Sequence, residues 1–208
     1  MVFAHASERP GTVLVLNGPS SSGKSSLARA LQARWPGLLL DGGLDRHLGM
    51  LPRQYLGPLW SQVYRYGHGA DGSVTSVSVG AAGARLHRAM HRAVAALAAA
   101  GCDVVVDHVL LEPRWALDLV QALEGVPTVL VGVRLPAEVL AERERARADR
   151  TLGQALSQLP AVHAHGSYDL EVDTAVLGAD EAADAVLAWL DTGGKPVAAA
   201  RWRRDLRA

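Results

Sequence analysis

The chain has 208 residues, of which 49% are hydrophobic and 20% charged, with 21 acidic and 21 basic side chains. This size suffices for one sizeable core, so we expect a single domain over 1–208. Zero net charge argues against a nucleic-acid partner, because non-specific binding to phosphate backbones requires a strong positive field.

The first residues and the cysteine content bear on the cellular compartment. Residues 1–10 contain Glu8 and Arg9 and no apolar run, so we expect no signal peptide. The apolar stretches are too short to cross a bilayer, so we expect no membrane partner. The single cysteine, Cys102, cannot form a disulfide within the chain, which is typical of a reducing compartment. These features predict a cytoplasmic protein.

Short apolar runs alternate with helical patterns along the chain. Continuous rather than alternating apolar runs are typical of strands that helices cover on both faces. The order therefore predicts an α/β fold of three layers, with a central parallel sheet of about five strands. The predicted strands are 12–16, 38–40, 103–106, 128–133 and 169–172, and the predicted helices are 24–35, 80–100, 113–123, 136–149 and 180–190.

Two later segments carry further expectations about packing. One stripe of the helix over 80–100 is expected to face the core, and its members are Leu86, Met90, Val94 and Leu97. The last segment, 195–208, is basic and contains Arg201, Arg203, Arg204 and Arg207. We interpret this segment as a solvated tail rather than a functional element.

The turn between the first predicted strand and helix has a phosphate-binding pattern. Residues 18–25 read Gly-Pro-Ser-Ser-Ser-Gly-Lys-Ser, which matches the P-loop pattern in full. Its glycines let successive backbone amides converge on phosphate oxygens at a helix N-terminus, which favours anions. The alternative is a serine-rich turn that only caps a helix. We expect ATP, or GTP in its place, to bind at Gly18, Pro19, Ser20, Ser21, Ser22, Gly23, Lys24, Ser25 and Ser26.

A magnesium ion is expected beside the triphosphate. Lys24 would reach the β- and γ-phosphates, and the Ser25 hydroxyl would ligate Mg²⁺. Asp107 follows the buried run 104–106, as does the acidic residue of the second nucleotide-site motif, although it could simply cap the chain there. His108 comes next, and either polarises a substrate hydroxyl or makes a structural hydrogen bond.

Two carboxylates follow the second predicted strand. Ligands of parallel P-loop folds gather beyond the carboxyl ends of the strands, which is where Asp41 and Asp45 lie. One of them could orient an acceptor hydroxyl and take its proton, and the spacing does not choose between them. Asp45 has the alternative role of N-cap for a helix that starts at Arg46.

Arginines cluster after the fourth predicted strand. Arg143, Arg147 and Arg150 are separated by four and three residues, so a helix would place them on one face. Such a face could close over a triphosphate as a lid, over about 143–160, and stabilise the charge of the transition state. The alternative is a solvated helix of Glu–Arg pairs, to which we assign Arg145.

Aromatic residues cluster between the second predicted strand and the helix over 80–100. Tyr55, Trp60, Tyr64 and Tyr66 are four of only ten aromatic residues in the chain. We interpret 46–79 as a segment that covers the substrate, with Tyr55, Trp60 and Tyr64 as an aromatic wall for an organic acceptor. Local core packing explains the cluster equally well.

Taken in order, these motifs resemble the chloramphenicol phosphotransferase-like family, over about 12–190. The ordered set is more specific than the P-loop alone, especially its closing Tyr-Asp-x-Glu-Val-Asp-Thr stretch. The matching segments are Val15 to Ser25, Asp45, Val104 to Asp107, Val131 to Arg134, Arg143 to Arg150, Val162-His163 and Tyr168 to Thr174.

The resemblance implies a cytoplasmic, ATP-dependent kinase of nucleotide-kinase-like fold that inactivates an antibiotic by phosphorylating a hydroxyl. It further implies that Asp45 rather than Asp41 is the base, and that Arg143, Arg147 and Arg150 form the lid. The family often has two adjacent acids where this chain has Asp107-His108. The region 52–77 matches the family poorly, so we expect either a chloramphenicol-type or a nucleoside-type acceptor.

Two other functions share part of this evidence. A metabolic sugar or nucleoside kinase would use the same P-loop and base with a more charged acceptor pocket. A nucleotide-dependent switch is the alternative from another class, and the chain lacks the Asn-Lys-x-Asp motif that reads guanine. The expected partner is a small hydroxylated molecule, and the sequence leaves a homo-oligomer open.

Overall fold

A central sheet of five parallel strands organises the computed structural model, which describes residues 9–147 and 152–207. The strand order is β2-β5-β1-β6-β7, and each neighbouring pair is parallel. The predicted parallel sheet is therefore confirmed. The strands are β1 Val13–Asn17, β2 Leu39–Asp41, β5 Asp103–His108, β6 Thr128–Arg134 and β7 Leu170–Asp173.

Helices cover both faces of this sheet, as the apolar runs predict. One face packs against α3, α4 and α8, and the other against α1 and α7. The strands β1 and β6 supply side chains to both layers because they lie inside the sheet. The helices are α1 Lys24–Arg34, α2 Leu44–Leu48, α3 Ala81–Ala99, α4 Pro113–Ala122, α5 Ala137–Ala146, α6 Gln154–Val162, α7 Ala179–Asp191 and α8 Ala198–Asp205.

The buried stripe of α3 differs from the predicted one. Met90 and Val94 are fully buried as expected, but Leu97 is an exposed position. Two histidines, His87 and His91, fill the stripe instead, and each is only 1% exposed. A pattern of apolar residues misses them because a buried imidazole looks polar in sequence, although it is common inside proteins when it is hydrogen-bonded.

The segment after α2 contains an antiparallel hairpin that the sequence patterns do not predict. Its strands are β3 Tyr64–His68 and β4 Val74–Val79, preceded by 3-10 turns at Arg53–Leu56 and Trp60–Gln62. The hairpin meets the corner between α5 and α6, where the Val74 amide donates to the Leu152 carbonyl at 2.8 Å. This placement fits the proposal that 46–79 covers the substrate, and it joins that cover to the arginine-rich region.

The predicted solvated tail is wrong over most of its length. Residues Ala198–Asp205 form α8, in which Trp202 is 1% exposed and packs within the core. The Asp169 carboxylate fixes the start of this helix by accepting from the Val197 and Ala198 amides at 2.7 and 2.8 Å. The four arginines indicated a solvated segment, although the other face of this helix is apolar. Every described helix is too short or too polar to span a bilayer.

We predict that Trp202→Ala lowers the free energy of unfolding by about 3–5 kcal/mol, the usual cost of deleting a buried tryptophan side chain. The loss includes the hydrogen bond from Trp202 Nε1 to the Ser167 carbonyl, at 3.0 Å. Urea unfolding of both proteins measures it. Arg201→Ala, an exposed change on the same helix, serves as the control and should alter stability by less than about 0.5 kcal/mol. Equal effects of the two changes would contradict the docked helix.

Candidate active site

The P-loop connects β1 to α1 with the geometry of an anion site. Ser21 and Gly23 take positive φ angles of 61° and 91°, and alternation of such left-handed residues is how a loop turns successive amides toward an anion. A Cβ atom on Gly18 would lie 2.5 Å from the Val133 carbonyl oxygen, so only glycine fits there. The Ser21 and Ser22 hydroxyls are buried without a partner among the described residues. Such orphaned donors fit phosphate oxygens.

A buried asparagine anchors the start of this loop. The Asn17 side chain, at the end of β1, donates to the Tyr168 hydroxyl at 2.8 Å and to the Val162 carbonyl at 2.6 Å. Its amide oxygen accepts from the Leu110 backbone at 2.9 Å. Three hydrogen bonds therefore hold the side chain of Asn17, the residue before Gly18, in place.

Lysine, serine and aspartate side chains converge at the end of the sheet. The Ser25 hydroxyl donates to Asp107 Oδ2 at 2.5 Å, and Lys24 Nζ lies 3.7 Å from Asp107 Oδ1. Lys24 is 5% exposed and also donates to the Pro19 carbonyl at 2.6 Å. A hydroxyl and a carboxylate are oxygen ligands that suit Mg²⁺, which usually keeps several waters and binds substrate phosphates as well. The donor set thus fits the predicted ion.

The two carboxylates after β2 have different surroundings. Asp41 accepts from the Gly43 amide at 3.0 Å and pairs with Arg46 at 2.7 Å, so it holds the turn into α2. Asp45 is exposed and lines both cavities, and its carboxylate makes no hydrogen bond or ion pair with the part of the chain described. Gly43 is the N-cap of α2, so the alternative that Asp45 caps that helix is wrong.

One cavity is lined by both the P-loop and Asp45. Lys24, Ser25 and Asp107 line this cavity together with Asp45 and with side chains of the hairpin. A second cleft runs along the outer side of the P-loop, past Ser26 and Thr174, and also reaches Asp45. Gly18 and Pro19 belong to the loop but line neither space. The arrangement offers adjoining spaces for a triphosphate and an acceptor.

Aromatic rings form much of the wall away from the P-loop. Trp60 and Tyr64 contact each other with ring centroids 5.5 Å apart, and both line the cavity as predicted. Tyr66 and Trp115 join them, the latter from α4, where sequence spacing gave no sign of it. Tyr55 lies in a 3-10 turn and does not line the cavity, so its predicted place in the wall is wrong.

A chain of hydrogen bonds fixes His108 beneath the cavity. The Val109 amide donates to His108 Nδ1 at 2.8 Å, so His108 carries its proton on Nε2 and donates to His91 Nε2 at 3.0 Å. His91 then donates from Nδ1 to Asp118 at 2.6 Å, and Arg92 holds that carboxylate with two donors at 2.9 Å. His108 is 0% exposed, so of its two predicted roles it has the structural one.

Burial keeps these imidazoles neutral. It lowers the pKa of His108 well below 6.5, and the neighbouring His91 and His87 act in the same direction. Burial likewise lowers the pKa of His87 to about 3, with a further contribution from His91. Although burial opposes it, hydrogen bonds from His91 and Arg92 hold the pKa of Asp118 below its ordinary value. The floor of the cavity is therefore polar but uncharged, apart from that shielded ion pair.

The three predicted lid arginines do not share one helix face. Helix α5 ends at Ala146, and the buried Glu144 carboxylate accepts from the Gly153 and Ala155 amides at 2.7 and 2.6 Å, which turns the chain into α6. Arg147 therefore follows the helix in extended conformation. Arg143 and Arg147 both line the cleft beside the P-loop, while Arg150 lies outside the described residues.

Two residues that the sequence reasoning did not single out connect the lid region to the P-loop. Thr174 Oγ1 donates to the Ser22 carbonyl at 2.8 Å, and Arg143 donates to the Thr174 carbonyl at 2.5 Å. Gln158, from α6, accepts from the Ser20 amide at 2.7 Å. Thr174 closes the specific Tyr-Asp-x-Glu-Val-Asp-Thr stretch, which was the available signal. No sequence pattern marked Gln158 as a residue of the site.

Known proteins resemble the chain in sequence and fold. The family model for chloramphenicol phosphotransferase-like proteins matches residues 11–191. A Mycobacterium tuberculosis protein assigned as a candidate O-phosphotransferase is 32% identical over 169 residues, which cover 79% of this chain and 75% of that protein.

Solved structures support the fold. An unliganded sugar kinase from Janibacter aligns with a TM-score of 0.61 at 19% identity, covering 88% of this chain and 95% of the kinase. The Mycobacterium tuberculosis APS kinase in complex with AMPPNP and APS aligns with a TM-score of 0.59 at 18% identity, covering 88% and 99%. The predicted three-layer P-loop kinase fold is confirmed.

The lowered pKa of His87 predicts a loss of stability in acid. The unfolded chain binds a proton there below about pH 6.5, whereas the folded protein does so only near pH 3. The stabilisation is therefore complete above pH 6.5 and is lost as the pH falls through this window. Between pH 7 and pH 5, His87→Gln should lose about 2 kcal/mol less stability than the wild type in urea unfolding. Equal losses of stability in the two proteins between pH 7 and pH 5 would contradict a neutral, buried His87.

Proposed function

The chain belongs to the chloramphenicol phosphotransferase-like family, and from this premise we propose that it transfers the γ-phosphate of ATP to a hydroxyl of an antibiotic, which is thereby inactivated. That it is a phosphotransferase follows from the family. The single observation that carries the proposal is one cavity whose lining includes Lys24, Asp45 and several aromatic rings. A phosphate donor and an apolar alcohol can meet there.

The donor side would hold the triphosphate by amides and cations. Backbone N–H groups of the P-loop and the Lys24 ammonium would bind the β- and γ-phosphates, and Arg143 and Arg147 would approach from the outer cleft. Ser25 and Asp107 would hold Mg²⁺. When bound, that ion neutralises charge that develops on the phosphate oxygens. Lys24 is preoriented for this task by the Pro19 carbonyl and by Asp107.

Asp45 would act on the acceptor hydroxyl. Its carboxylate accepts the hydroxyl proton while the acceptor oxygen forms a bond to the γ-phosphorus, and the bond from that phosphorus to the bridging oxygen of ADP breaks. The exposed position of Asp45 at the meeting of two cavities supports this assignment. Asp41 is a weaker candidate because Arg46 and Gly43 already engage it.

The acceptor wall favours an antibiotic over a metabolic sugar. Apart from Asp45, the residues that 44–77 and α4 contribute to this cavity are apolar or aromatic, and the cations in its lining are Lys24 of the P-loop and Arg147 after α5. A sugar or a phosphorylated metabolite would need several hydrogen-bond partners or cations to replace its water. A chloramphenicol-type or nucleoside-type antibiotic carries an aromatic or heterocyclic ring that suits these rings.

The proposal is tested by offering the purified protein a panel of acceptors with ATP, or GTP, and Mg²⁺. The panel contains chloramphenicol, nucleoside antibiotics, common sugars and nucleosides, and products are identified by mass spectrometry. We expect one phosphate to be added to an antibiotic, with loss of its antibacterial activity. Phosphorylation of sugars or nucleosides alone would make the metabolic kinase the correct function, and hydrolysis without any acceptor would indicate the nucleotide switch.

We predict that Asp45→Asn lowers kcat by about 10²- to 10⁴-fold, because the change keeps the size of the side chain and removes the proton acceptor. Nucleotide affinity, measured by calorimetry with a non-hydrolysable ATP analogue, should stay within about threefold of wild type. The matched control is Asp41→Asn, in which the lost partner is the exposed Arg46. A fully active Asp45→Asn protein would remove Asp45 from the mechanism.

Asp107→Asn should raise the Mg²⁺ concentration needed for half-maximal turnover by about tenfold or more, because an amide is a neutral and weaker ligand. Turnover across a magnesium titration at saturating ATP measures the shift. Glu112→Gln, a surface carboxylate paired with Arg114, is the control. An unchanged magnesium requirement would show that Asp107 only caps its strand.

A further inference from the structure

A tyrosine and a histidine pair in the acceptor wall, and the mechanism above leaves them unused. The Tyr64 hydroxyl and His87 Nε2 are 2.7 Å apart, and both residues line the cavity. Tyr64 is partly exposed, whereas His87 is 1% exposed. The other ring nitrogen, His87 Nδ1, is buried and has no hydrogen-bond partner in the described chain.

Neighbouring groups leave His87 Nδ1 without a partner. His91 Nε2 already accepts from His108, and the Trp115 ring packs against His87 with centroids 4.6 Å apart. His87 is uncharged because burial lowers its pKa to about 3. It therefore carries one N–H, which lies on either Nδ1 or Nε2. The position of this proton decides whether the Tyr64 hydroxyl donates to His87 or accepts from it.

The buried environment favours the proton on Nε2. A proton on Nδ1 would create a buried N–H donor without an acceptor, and such donors are rarer in proteins than under-satisfied acceptors. With the proton on Nε2, His87 donates to the Tyr64 oxygen. The phenolic hydrogen of Tyr64 is then released from the pair. Burial raises the pKa of Tyr64, so the hydroxyl keeps that hydrogen.

We infer that Tyr64 donates a hydrogen bond into the cavity. It thereby selects phosphate-accepting substrates that carry a hydrogen-bond-accepting oxygen beside an aromatic or heterocyclic ring. Carbonyl, nitro and ether oxygens satisfy it. An ammonium group at the same position has donors and no acceptor, so it could not accept the phenolic hydrogen. His87 acts as a positioning residue, because it fixes the direction of the phenol without touching the acceptor.

This inference rests on the proposed function and narrows its substrate class. Trp60, Tyr66 and Trp115 supply apolar contact that tolerates many rings, whereas Tyr64 supplies a directional contact within the same wall. A neutral hydrogen bond of this kind changes affinity by about three- to tenfold. The acceptor is thus recognised by one phenolic donor among contacts that are otherwise mainly aromatic and apolar.

Steady-state kinetics test the contact with the antibiotic that the panel identifies. Tyr64→Phe keeps the ring and removes the hydroxyl, so KM for that antibiotic should rise about three- to tenfold while kcat changes by less than about twofold. Tyr55→Phe makes the same chemical change outside the cavity and is the control. An unchanged KM in Tyr64→Phe, or an equal rise in Tyr55→Phe, would overturn the inference.

Nitrogen NMR tests the orientation without any acceptor. A long-range proton–nitrogen correlation spectrum reports which ring nitrogen carries the proton, and the His87 signals are identified by their loss in His87→Gln. We expect an unprotonated Nδ1. A proton on Nδ1 would overturn the inference, because Tyr64 would then have to donate to Nε2. If no antibiotic is phosphorylated, the proposed function fails, and this spectrum still decides the tautomer.

Discussion

The parallel pairing of β1 with β5 is the constraint on which the rest of the site depends. Its register sets Leu16 opposite Asp107 and Asn17 opposite His108, so the carboxylate arrives beside the P-loop at the edge where both strands end. Ser25 and Lys24 then meet Asp107 within 2.5 and 3.7 Å. A shift of one residue would turn Asp107 to the other face of the sheet. The buried valines of β5 hold this register by packing on both layers.

At the same edge of the sheet, hydrogen bonds connect the P-loop to the residue after β7 and to α6. Thr174, just after β7, bonds the P-loop through Ser22 and Arg143 through its own carbonyl. Gln158 of α6 bonds Ser20 on the other side of the loop. The β4 strand meets the α5–α6 corner at Leu152. The P-loop, Arg143, α6 and the β3–β4 hairpin are therefore joined in one hydrogen-bonded assembly.

The acceptor side combines uncharged polar groups with aromatic rings. His108 and His91 are satisfied by a chain of hydrogen bonds that ends at Asp118, and burial keeps them neutral. Under the proposed function, a neutral floor beneath an aromatic wall would suit an acceptor that carries a ring and would repel no phosphate at the adjoining P-loop. Charges placed there would have to be desolvated when an acceptor enters, which costs free energy unless they are paired.

The sequence by itself determined the central sheet, the P-loop and the positions of Asp45 and Asp107, because apolar runs, glycine spacing and strand ends are local signals. The tertiary structure alone decided that Asp41 pairs with Arg46, that Arg147 leaves its helix and that Tyr55 stands outside the cavity. It also decided that His87 and His91 belong to the core and that α8 docks through Trp202. Most of these depend on partners far along the chain, and the sequence of one segment does not show which distant residues will bury or bind its side chains.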